Sequence, residues 1–104
     1  MSSATISTEV VERQGSGCAR RTLVLADHNA GEGYAAQVAV ASEIPLTPDE
    51  TIWVIHLAVA VEMRLSPDSV APLRCFNVWN EESARAALGV IAFLYAHTQA
   101  PVTA

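Results

Sequence analysis

Apolar and polar residues alternate along the first 43 positions, and that alternation predicts three strands. In residues 3–13, Ile6, Thr8 and Val10 fall on one face and Ser7, Glu9 and Val11 on the other, as in a half-buried strand. Gln14-Gly15-Ser16-Gly17 breaks the run. Residues 21–27 (RTLVLAD) read as a compact apolar strand, and residues 28–33 (HNAGEG) as a loop of turn residues. Residues 34–43 (YAAQVAVASE) alternate again, with Tyr34, Ala36, Val38 and Val40 on an apolar face opposite Gln37 and Glu43. Two short connections make an antiparallel meander the economical topology.

The pattern then shifts toward helices. Thr47-Pro48-Asp49-Glu50 supplies an N-cap, a proline at the first helical position and a glutamate suited to a capping box, so a helix is expected over 48–65. Ser66-Pro67-Asp68-Ser69 repeats the signature, but Pro72 limits any helix there to a turn or two. Residues 73–79 (LRCFNVW) alternate as a fourth strand or an extended link. Asn80 is a good N-cap, with Glu81 and Glu82 in the first turn, for a last helix running to about residue 97. The expected fold is α+β in the order β-β-β-α-(β)-α. A three- or four-stranded antiparallel sheet is packed on one face by two helices, in a single domain over 1–104 with frayed ends at 1–3 and 99–104.

Both expected helices are apolar on nearly every side. In the first, Ile52, Ile55, Val59 and Met63 make one stripe and Val54, Ala58, Val61 and Leu65 a second, with Trp53 and Leu57 between them. In the last, Ala84, Ala87, Leu88, Ile91, Leu94 and Tyr95 form the core face, while Ala86, Val90 and Phe93 carry apolar surface round the back. A surface helix ordinarily has one apolar stripe, so either a helix is enclosed within the fold or it forms an interface. Trp53, Leu57, Val61, Trp79, Val90 and Phe93 are the residues expected at such an interface, while Trp53 and Trp79 also read as core anchors, a reading a small domain slightly favours.

Composition limits what could meet it. The chain has 104 residues, of which 51% are hydrophobic and 16% charged, with a net charge of −5. Leu, Ile, Val and Phe number 27, enough to form a core. Residues 1–50 hold seven acids against three Arg and residues 51–104 four against three, so four of the five net charges lie in the strand half. Six Arg and no Lys, outweighed by acids, argue against direct nucleic-acid binding. Arg as the sole cation beside 18 Ala and 12 Val suggests a GC-rich genome, bacterial or phage. Two cysteines, Cys18 and Cys75, no secretory pattern at the start and no apolar run of bilayer length point to the cytoplasm and away from membranes.

Chemistry-bearing residues are few. Asp27, His28 and Glu32 at the mouth of the second loop are candidates for acid/base work, yet loop composition alone also accounts for them. No second His stands at ligand spacing, so no metal and no cofactor are expected. Residues 15–21 (GSGCARR) could cradle an anion or expose a thiolate, or simply join two strands. His56 reads as a buried neutral imidazole or a pH-sensitive contact, and His97 complements a helix C-terminus. The expected function is a small acidic non-enzymatic protein-interaction module that forms a homodimer through apolar helices and meets another protein with a basic surface. Its sharpest form is an inhibitor or accessory protein of the kind phages and mobile elements encode, for example against a CRISPR effector. The alternative is a small enzyme or ligand-binding protein with a site between sheet and helices near Asp27–Glu32.

Overall fold

The computed structural model of the chain describes residues 7–29, 37–58 and 75–98. Within them, five strands and one helix run in the order β1 (Thr8–Gln14), β2 (Arg21–Asp27), β3 (Gln37–Thr47), β4 (Glu50–Leu57), β5 (Cys75–Val78) and α1 (Glu81–Thr98). The strands form one sheet in chain order, β1-β2-β3-β4-β5, and every neighbouring pair is antiparallel. The fold is therefore α+β with a longer meander than the alternation alone suggests.

The main departure concerns residues 50–57, expected to be helical and found as β4. Thr47 pairs with Glu50, so Pro48 and Asp49 are the central residues of a tight turn between β3 and β4. The Asp49 N–H donates to Thr47 Oγ1 at 3.3 Å, the bond a helix cap would also make. A Thr-Pro-Asp-Glu run suits both structures, because proline fixes φ equally well at a first helical position and at the second residue of a turn. The residues beyond the turn decide between the two: Thr51, Ile52, Val54 and Ile55 are β-branched and favour a strand. No described non-glycine residue has positive φ, which excludes the mirror-image turns usual in hairpins. Leu46, left over where the register shifts between Pro45 and Thr47, is the bulge that accommodates an ordinary turn there. Residues 59–65 of the expected helix, Val61 among them, and the expected turn at 66–72 lie outside the described residues.

A second bulge corrects the facing of the third strand. Leu25 pairs with Ala39 but Ala26 with Gln37, leaving Val38 as the extra residue. Val38 joins the buried cluster together with Ala39 and Ala41, whereas Val40, two residues on, takes the opposite face. The loop between β1 and β2 is closed by backbone contact: Gly15 N–H donates to Arg20 O and Ala19 N–H to Ser16 O, both at 3.2 Å, and Arg20 N–H ties it to Glu43 O of β3 at 2.8 Å. Gly17 there has φ of 62°, and a Cβ on Gly15 would stand 2.3 Å from the Ala19 carbonyl oxygen, so both glycines are required.

α1 begins as the sequence indicates, with the Ser83 N–H donating to Asn80 Oδ1 at 2.7 Å. Ala84, Leu88, Ile91 and Tyr95, spaced by four, three and four, bury one helix face. They meet Leu23 and Leu25 of β2, Ala39 and Ala41 of β3, and Trp53, Ile55 and Leu57 of β4. The alanines of β3 leave room for the helix to lie close to the sheet. α1 runs in the same direction as β2, since Arg21 binds Glu81 at one end and Asp27 binds Tyr95 at the other.

Candidate functional site

The two ends of the α1–β2 contact hold most of the polar groups that sequence reasoning marks for chemistry. At the far end Asp27 is buried, and its carboxylate is fully engaged: Tyr95 Oη donates to Oδ2 at 2.7 Å, and the Asn29 and Ser7 N–H groups donate to Oδ1 at 3.0 and 3.4 Å. A buried charge satisfied in this way fastens the last turns of the helix to the sheet. His28, the next residue, is exposed and points its Nε2 to Glu9 Oε1 at 2.7 Å. Asp27 and His28 thus take different partners, and Glu32 lies outside the described residues.

At the near end Arg21 gathers carboxylates. Its guanidinium donates to Glu43 at 3.1 Å, to Glu12 at 3.2 Å and to Glu81, and it lies 5.2 Å from the Trp53 ring. Arg85 joins by donating to Glu81 at 2.9 Å and stands 3.6 Å from Glu12. Its hydrogen bonds to Glu81 first, and then to Glu43, hold Arg21 protonated well above its ordinary range. Arg85 first, and then Arg21, lower the Glu81 carboxyl below its ordinary 4.5. Arg21 is therefore spent on the protein's own acids rather than on an anion, which removes one of the two guanidiniums available to the GSGCARR loop. Sequence reasoning misses both braces. The available signals are an Arg opening and an Asp closing one apolar strand, with a Tyr in the buried helix stripe.

The remaining candidates are scattered. Cys18 and Cys75 are free and exposed. His56 is exposed on the sheet face away from α1, because residue 56 of a strand points opposite Ile55 and Leu57. A half-open cavity of about 160 Å³, lined by Gln37, Ala39, Val40, His56, Leu57 and Ala58, is smaller than the ~300–1,000 Å³ of ordinary small-molecule pockets. Among the described residues no three His, Cys, Asp or Glu converge as metal ligands. No helix of the described residues is long and apolar enough to cross a membrane.

The expected interface residues divide clearly. Trp53 is 2% exposed and Leu57 is also buried; with residues 50–57 extended, both point into the core under α1. By contrast Val90 is 59% exposed, Phe93 62%, Leu94 42% and Trp79 70%. Leu94, expected on the core face, lies at its margin. Phe93 sits opposite the buried stripe, flanked by exposed Glu82, Ala86, Gly89, Val90 and His97. The Phe93 and His97 rings lie 4.1 Å apart, and His97 Nδ1 donates to the Phe93 carbonyl at 2.9 Å, which orders the outer surface of the last two turns. Trp79 stands just before the N-cap, about 20 Å from Phe93 along the helix, and forms a separate apolar feature. No protein-family model, no curated protein and no solved structure matches the chain.

Proposed function

We propose that the protein is a small acidic interaction module, non-enzymatic, that binds other protein, including its own copies, through the outer face of α1. The observation that carries this reading is the exposure of Val90, Phe93 and Leu94 on a helix whose other face already seals the core. Exposed apolar residues clustered on one ordered element mark interaction sites, and aromatic side chains supply much of the binding energy at such sites. Commitment of Asp27 to Tyr95 and of Arg21 to three glutamates supports binding over catalysis, because both groups are structural. An inhibitor or accessory role would use the same face, with the acidic strand half steering the module toward a basic surface.

The test is affinity purification from the native host with the wild-type chain and a Val90→Asp/Phe93→Asp variant. The reading expects a stoichiometric protein, host-encoded or a differently tagged copy of this chain, to be retained by the wild type and lost by the variant. Equal recovery with both overturns it.

A further inference from the structure

We infer that the occupant of the outer face of α1 is a second copy of the same helix, lying antiparallel across a two-fold axis that passes between Gly89 and Val90. This rests on the reading of α1 as a docking surface and adds the partner and its register.

In an antiparallel pair centred there, residues equidistant from the centre face each other across the seam. Phe93 then meets Ala86, a large side chain opposite a small one, while Gly89 and Val90, on opposite flanks of the seam, each come level with their own copy. Gly89 has nothing within 4 Å of where a Cβ would be, which leaves its surface free for close approach. Glu82, in the acidic first turn, comes level with His97 in the partner's last turn. Because His97 Nδ1–H is already donated to the Phe93 carbonyl, Nε2 donates to the Glu82 carboxylate only in the imidazolium form. Each helix N-terminus also lies beside its partner's C-terminus, which the helix dipoles favour. A parallel pair loses the matches at the centre line and the ends: Glu82 would meet Glu82, His97 would meet His97 and Phe93 would meet Phe93. Size along this one face is therefore complementary to the face itself turned end for end, and charge is too when the His97 imidazole is protonated. The resulting assembly has four layers, sheet, helix, helix and sheet. A single helix pair buries less than the about 1,200–2,000 Å² of a standard stable interface, so the association is weak and concentration-dependent.

The experiment combines sedimentation velocity over a concentration series with oxidative trapping, in a Cys18→Ser/Cys75→Ser background. Val90→Cys lies near the axis, where the two copies differ by only about 1.5 Å in height, and is expected to form an intermolecular disulfide. Glu82→Cys is not, because its two copies stand about 22 Å apart along the axis. Phe93→Asp is expected to raise the dissociation constant by at least about tenfold. A chain that stays monomeric across the series overturns the inference and leaves the docking reading to the host purification. A dimer that Phe93→Asp leaves intact, that traps through position 82, or that fails to trap through position 90 overturns it as well.

Discussion

The inner and outer faces of α1 are built from similar residues. Ala84, Leu88, Ile91 and Tyr95 look inward and are buried, while Ala86, Val90, Phe93 and Leu94 look outward and are exposed. Hydrophobicity barely separates the two sets; their neighbours do. The inner residues meet a sheet face with a matching apolar surface and a polar brace at each end. The outer residues meet no equivalent surface among the described residues. An apolar position thus acquires its role from the surface opposite it, and an all-round apolar helix divides into a buried half and an exposed half.

Substitutions can sharpen or break that division. The largest effect is expected from Leu88→Ala on the inner face, a loss of about 2–5 kcal/mol in urea or thermal unfolding, since Leu88 is fully buried. Tyr95→Phe keeps the apolar contact but strips Asp27 of its side-chain donor, and about 1–3 kcal/mol should go with it. A neutral effect there would break the assignment of Asp27 as a structural clamp. Asn80→Ala removes the cap on which both faces depend and should cost about 1 kcal/mol, with helical circular dichroism reduced.

Glu81→Gln tests the near-end brace through pH. The Glu81 carboxyl lies lower in the folded chain than its ordinary 4.5, so its contribution is present above that value. It fades as the pH falls through the lowered folded value. The stability gap between wild type and Glu81→Gln should therefore narrow in acid, and a gap equal at neutral and acid pH would break the assignment. Smallest of all, Phe93→Asp should change the unfolding free energy of the dilute chain by no more than about 0.5 kcal/mol. A large loss would mean that the outer face is part of the core.

Legibility from sequence obeys the same logic of neighbours. β2 is readable residue for residue, because a short apolar run between turn signals has few alternatives. α1 is readable too, through its cap and its 3.6-residue spacing. β4 reads as a helix because a strand with apolar residues on both faces satisfies a helical spacing almost anywhere. That error also displaces Trp53 and Leu57 from the core to a supposed surface, whereas Trp79, Val90 and Phe93 do prove exposed. The Arg21 and Asp27 braces join residues 60 and 68 positions apart, a pairing that no local pattern encodes.

The separation of Tyr95 from Asp27 also bears on synthesis. Each strand pairs with the strand before it, so hairpins can zip as the chain leaves the ribosome. The helix over the sheet, however, is translated after every strand it covers. Until residue 95 emerges, Leu23, Leu25, Trp53 and Ile55 belong to a sheet whose apolar side still lacks α1. The nascent chain is thus most in need of a chaperone just before α1 emerges, and a premature stop ahead of Glu81 would leave the sheet without α1 over its apolar face.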